Sequence, residues 1–211
     1  MTAICIYSGS SDGSTPIYKD VARQIGSTLA AHNIPLVYGG GDGGLMGQVA
    51  RSALSSGGHV TGIIPRAMVA VGEKGERGST SHTTLPSHPN LDSIVVDSMH
   101  ERKLAMAHRS SSFIALPGGF GTFEELLEVT TWSQLNIHAK AVIAVNVDGF
   151  FNPLKHLIAS AVDAGFISSK NAHLIHFLDH PLDGDWGLAA IDACKNYSPT
   201  GEEYAFDWSR V

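Results

Sequence analysis

Short apolar runs alternate with helix-length amphipathic segments along almost all of this chain, and few folds accommodate such a rhythm. Ala3–Tyr7 has the pattern of a buried strand, and a helix is expected from about Pro16 to His32, with proline in its first turn. Strand and helix then repeat: Pro35–Tyr38 with Leu45–Ser56, His59–Ile64 alone, Ile94–Val96 with Met99–His108, and Phe113–Leu116 with Phe123–Leu135. Ala141–Val147 with Pro153–Ala164 and Leu174–Leu178 with Leu188–Lys195 complete the series. Runs buried on both faces and separated by helices predict a doubly wound α/β domain, a parallel sheet with helices on both faces. We expect one domain over 1–197, followed by a tail, 198–211, that forms a surface or partner-contacting arm. Within the domain, 69–92 is rich in Gly, Ser, Thr, His and Pro without periodicity, so a long mobile loop is expected there.

In sheets of this kind ligands bind at the C-terminal ends of the strands. Three glycine-rich loops fall at such ends: Ser8-Gly9-Ser10-Ser11, Gly39-Gly40-Gly41 and Pro117-Gly118-Gly119. The last opens the run Pro117-Gly118-Gly119-Phe120-Gly121-Thr122-Phe123-Glu124-Glu125, where bare backbone N–H groups and a helix N-terminus favour an anion, with two carboxylates in the first turn. Thr122-x-x-Glu125 is equally a capping box, which would give Glu125 a structural role. On the preceding helix Met99, Arg102 and Met106 share a face. Two thioethers and a guanidinium would suit a flat aromatic base, and a snorkelling surface arginine is the alternative.

Other motifs fail their own tests. Gly39-Gly40-Gly41-Asp42-Gly43-Gly44 fits G-x-G-x-x-G, but it follows the second strand, and the next strand ends Ile64-Pro65-Arg66 instead of in an acidic residue. No Walker loop or G-x-S-x-G elbow occurs. His173, His176 and His180 lack a correctly spaced acidic partner, so no metal and no cofactor are expected. The chain has 211 residues, a net charge of −6 and 16% charged residues, which gives no footprint for nucleic acid or an anionic membrane. Two distant cysteines, Cys5 and Cys194, make no disulfide framework, and no signal peptide is visible, so a cytoplasmic protein is expected.

From Ile4 to Ser168 the chain resembles the Lonely Guy family of cytokinin riboside 5′-monophosphate phosphoribohydrolases, often labelled lysine decarboxylases. The marker P-G-G-x-G-T-x-x-E is met by Pro117 to Glu125, and M-H-x-R-K by Met99 to Lys103. Gly44-Leu45-Met46-Gly47, Gly62-Ile63-Ile64-Pro65 and Thr131-Trp132-Ser133-Gln134-Leu135 match as well. The resemblance implies a Rossmann-like sheet, a homodimer or dimer-based oligomer, and hydrolysis of the N-glycosidic bond of N6-modified AMP to free base and ribose 5-phosphate. It implies Arg102 and Glu125 as the essential pair, and Gly118, Gly119, Gly121 and Thr122 as the phosphate loop, with Lys103 and Thr131 lining the site. Gly9, Ser10, Gly40 and Met99 are expected to complete the substrate pocket. Relatives carry a substrate-reaching glutamate between the third and fourth strands, for which Glu73 is preferred over Glu76. Asn136 stands where glycine is usual and Ala141 where proline is usual. A non-catalytic nucleotide carrier or sensor on the same sheet is the alternative, and it would bind AMP without turnover.

Overall fold

A computed structural model describes residues 2–73, 84–181, 184–199, 201–202, 204 and 206–208. Seven parallel strands form one sheet in the order β4-β3-β2-β1-β5-β6-β7: β1 Ala3–Tyr7, β2 Leu36–Tyr38, β3 Val60–Pro65, β4 Leu91–Val96, β5 Ser110–Ala115, β6 Ala141–Val145 and β7 His176–Leu178. The chain builds outwards from β1 to β4, then returns to the other side of β1 with β5 and builds outwards again. The direction reverses between β1 and β5, where Ile4, Cys5, Ile6 and Tyr7 lie beside Ser112, Phe113, Ile114 and Ala115. Connections cannot cover both strand ends there, so a crevice opens at the C-terminal edge of the sheet.

Alternation within β1 separates the two cores. Ile4 and Ile6 face a layer made by α1 Pro16–Ala31, α2 Gly44–Ser55 and the last helix, Trp186–Asn196. Cys5 and Tyr7 face the opposite layer, in which α4 Met99–His108 supplies Met106 and Ala107, α5 Phe120–Gln134 supplies Leu126 and Val129, and α6 Asn152–Asp163 adds Leu154 and Ile158. The helix Trp186–Asn196 is α7.

Two sequence expectations need correction. A further helix, α3 Arg66–Glu73, follows β3 without a break, and β4 begins at Leu91, so the expected loop 69–92 is shorter at both ends. Residues 74–83, with Glu76, lie outside the described residues, as does the side chain of Glu73. At the loop's far end Thr84 pairs with Gly41 in an antiparallel bridge and Leu85 is buried. Second, α5 starts at Phe120, three residues before the expected Phe123, with Gly119 as its N-cap. The described part of the tail lies along the domain surface: Tyr204 N–H donates to Asn136 Oδ1 at 2.8 Å and Trp208 Nε1 to the Leu135 carbonyl at 2.9 Å. Among the described residues no helix is long and apolar enough to cross a membrane.

Candidate active site

The early start of α5 changes what its first turn can do. With glycine at the N-cap no side chain caps the helix, and the first intrahelical bond runs from Phe123 N–H to the Gly119 carbonyl. The N–H groups of Phe120, Gly121 and Thr122 therefore have no acceptor within the helix. Thr122 lies inside the helix instead of capping it, so the capping-box role for Glu125 is not realised. No acidic residue occupies the first turn, and Glu124 and Glu125 fall in the second. Gly118 leaves room for the Thr122 hydroxyl, which a Cβ at that position would overlap.

Across the crevice α4 presents Arg102. Ser98 caps the helix by accepting from Glu101 N–H at 3.1 Å, and the Glu101 carboxylate reaches back to Asp97 N–H at 2.8 Å. The returning bond thus lands one residue before the N-cap, where a capping box would place it on the N-cap itself. Arg102 Nη1 donates to Glu125 Oε1 at 2.9 Å, and its Nε donates to the Ile63 carbonyl at 3.2 Å. Its Nη2 lies against Gly39, where a Cβ would collide with it. Part of the glycine loop after β2 therefore exists to admit the guanidinium. Arg102 and Glu125 are only 6% and 7% exposed, so water contributes little to their solvation. Burial pushes the Glu125 carboxyl above its ordinary range, and the Arg102 guanidinium opposes that shift. The helix dipole fades beyond the first turn, so it does little to oppose that shift.

A buried ion pair contributes little to stability, because each charge loses several kcal/mol of hydration. Such a pair at the wall of a cleft points to chemistry. The cleft has a volume of about 280 Å³, and the pair shares it with Gly9, Ser10, Met99, Gly119, Gly121 and Thr122. An adjoining lobe of about 260 Å³ shares Gly9, Ser10 and Gly119 and contains Gly118 beside Tyr18 and Phe150. Gly40, Lys103 and Thr131 line neither. Gly40 (φ +79°) turns the chain against Ile63 and Ile64, Lys103 pairs with Glu124 and Glu128, and Thr131 Oγ1 donates to the Leu127 carbonyl.

The shared helix face of Met99, Arg102 and Met106 spans two depths. Met99 is 45% exposed at the cleft, whereas Met106, two turns further along, is wholly buried beneath the sheet. The thioethers that accompany Met99 are Met46 from α2 and Met68 from α3. Sequence reasoning gave neither a site role, since a methionine on an amphipathic helix looks like core. Within the Ser8-Gly9-Ser10-Ser11 loop it gave no separate role to Ser8, whose hydroxyl is buried at the cleft without a hydrogen-bond partner among the described residues, and it passed over Phe120, 90% exposed at the mouth. The site thus offers a polar floor of main chain and hydroxyls, one carboxylate–guanidinium pair and an apolar wall of three thioethers.

Comparison with known proteins agrees with this architecture. The family described as "Possible lysine decarboxylase" matches residues 46–183. The cytokinin riboside 5′-monophosphate phosphoribohydrolase LOG2 of Arabidopsis thaliana is 46% identical over 172 residues, 82% of this chain and 75% of that protein. LOG4 of Arabidopsis thaliana, of the same description, is 41% identical over 202 residues, 96% of this chain and 86% of that protein. Among solved structures the molybdenum cofactor carrier protein of Chlamydomonas reinhardtii superposes with a TM-score of 0.58 at 18% identity, covering 93% of this chain and 99% of that one. The last likeness shows a common Rossmann-like fold alone.

Proposed function

The chain belongs to the Lonely Guy family of cytokinin riboside 5′-monophosphate phosphoribohydrolases, and from that premise we propose that it hydrolyses the N-glycosidic bond of N6-modified adenosine 5′-monophosphates. The products are the free base and ribose 5-phosphate. The observation that carries this reading is the buried Arg102–Glu125 pair, 2.9 Å apart, set one helical turn beyond an uncapped N-terminus.

The free N–H groups of α5, with Gly9 and Ser10 opposite, suit the 5′-phosphate. Met46, Met68 and Met99 suit the flat base and an apolar N6 substituent. As the bond from C1′ to the base nitrogen breaks, the ribose gains positive charge, as in other glycoside hydrolyses. The Glu125 carboxylate stabilises that charge and takes a proton from the water that bonds to C1′. A carboxyl held above its ordinary range is the stronger base once ionised. Arg102 holds Glu125 in place and, through its Nη2 side, answers the negative charge on the departing base. The ionised carboxylate is the working form, so turnover is present above its folded pKa and lost below it. The upward shift of Glu125 moves that loss toward neutral pH.

The test is chromatography of N6-isopentenyl-AMP and AMP after incubation with wild-type and Glu125→Gln protein. Free base from the wild type and a drop of at least about 10²-fold in the variant are expected. Bound AMP with no base from either protein would replace the hydrolase with a carrier or sensor.

The working unit is a homodimer, as the family resemblance implies. The α4–α5–α6 layer exposes Leu104, Phe123, Leu127 and Leu157, whereas the other layer exposes only Ile17 and Leu188 among the large hydrophobics described and carries Lys19, Asp20 and Arg23 on α1. An apolar face of that kind fits a second copy of the chain.

A further inference from the structure

Arg102 and Glu125 each have a charged neighbour in sequence, and those neighbours also meet. Lys103 Nζ lies 2.6 Å from Glu124 Oε1 and 2.9 Å from Glu128 Oε1. Helices α4 and α5 are thus stitched twice, by Arg102–Glu125 at the cleft and by Lys103 with two carboxylates away from it. The Lys103 side chain is 11% exposed and does not line the cleft. Glu124 and Glu128 are like charges one helical turn apart, an arrangement that is unfavourable without a cation between them.

We propose that Lys103 is a positioning residue of this active site: it clamps α4 to α5 through Glu124 and Glu128, and thereby holds Arg102 against a charged Glu125 without touching substrate. The inference rests on the hydrolase reading given above. Two physical effects are combined in the one side chain. The first is geometric, since a lysine shared by successive turns of α5 fixes how the two helices lie, and small displacements of a catalytic pair are costly. The second is electrostatic. Glu125 sits within a five-residue stretch that holds three carboxylates, and Lys103 compensates the two that are not paired with Arg102.

The groups facing Glu125 support this division. Burial raises it and Arg102 lowers it; Glu124 then raises it further and Lys103 opposes that rise. From β1, Cys5 and Tyr7 also face it, and burial pushes both far up, so they stay uncharged around neutral pH. Burial disfavours charge on Lys103 itself, but its bonds to Glu124 and Glu128 outweigh that and raise it, so it remains a cation.

The experiment compares kcat and KM against pH for the wild type, Lys103→Met, Lys103→Arg, and Lys103→Met combined with Glu124→Gln and Glu128→Gln. In Lys103→Met, KM stays within about twofold, kcat falls about tenfold and the acid limb moves up by about half a pH unit or more. The triple variant restores the acid limb, because the uncompensated charges are gone, but not kcat, because the clamp is gone. Lys103→Arg keeps the wild-type profile. A raised KM with an unmoved acid limb would make Lys103 a substrate contact and overturn the proposal. A lowered Tm with kcat and acid limb unmoved would leave it a purely structural residue. Carbon-13 NMR titration of the Glu125 carboxyl in the same proteins decides the electrostatic part without turnover. A wild type that releases no base would therefore sink the hydrolase reading separately.

Discussion

At the scale of single residues, the side chains at the cleft keep their places because neighbouring residues are small. Gly39 makes room for the Arg102 guanidinium and Gly118 for the Thr122 hydroxyl. Gly39→Ala is expected to displace the guanidinium, break its bond to Glu125 and reduce kcat about 10²-fold or more, with the thermal unfolding midpoint shifted only slightly. Unchanged kcat in Gly39→Ala would show that the guanidinium has room to move and that its observed place is not the working one. Much of this scale was legible in sequence. The glycine loops at the strand ends are local patterns that follow from residue type and spacing, whereas spacing alone left open a helix cap for Glu125 and a surface arginine for Arg102, and only the family resemblance paired them. The buried hydroxyl of Ser8 and the place of Met68 were not legible, because nothing local distinguishes a cleft-facing hydroxyl or thioether from a packed one. The partners of Lys103 were hidden for another reason: that contact joins two helices and exists only once both have docked.

Elements were predicted well where burial dictates their pattern and poorly where a helix begins in residues that disfavour helices. β1 and β6 are continuous apolar runs because both faces of a parallel sheet are covered, whereas β5 is apolar only in its second half, Phe113–Ala115. The first turn of α5 carries Gly121 and Thr122, which have low helix propensity, and Thr122 imitates an N-cap. Its true start is set by the crevice and by Gly119, which has no side chain to signal a cap. α3 was missed because it follows Pro65 directly, with no loop to announce it. The outer face of α5 has its own expectation. Leu127, 42% exposed, lies on the apolar face assigned to a second copy, so Leu127→Glu should shift the protein toward a monomer in light scattering after size exclusion. A monomeric wild type would contradict the dimer directly.

At the scale of the whole molecule, the edge of the sheet opposite the site carries a pH-dependent contribution to stability. His138, at the N-terminal side of β6, packs on Phe113, and its Nδ1 accepts from Lys140 N–H. Burial, aided by the Lys140 charge, pushes its pKa down to about 4. The folded protein thus keeps this imidazole neutral, while the unfolded chain protonates it near pH 6.5. Its contribution to stability is fully present above pH 6.5 and is lost as pH falls toward about 4. The loss is on the order of 2 kcal/mol, allowing for partial exposure of the ring. Urea midpoints at pH 7 and pH 5 should therefore diverge more in the wild type than in His138→Leu, and equal divergence would remove His138 from the account. The divergence of β1 and β5 has a longer reach. It supplies a cradle of main-chain groups that no single side-chain replacement can erase, while the pair proposed to react, Arg102 and Glu125, projects into it from helices on one layer. On that proposed reading recognition and reaction are separable in this frame: replacements on the helices alter the chemistry while the main-chain cradle keeps its shape.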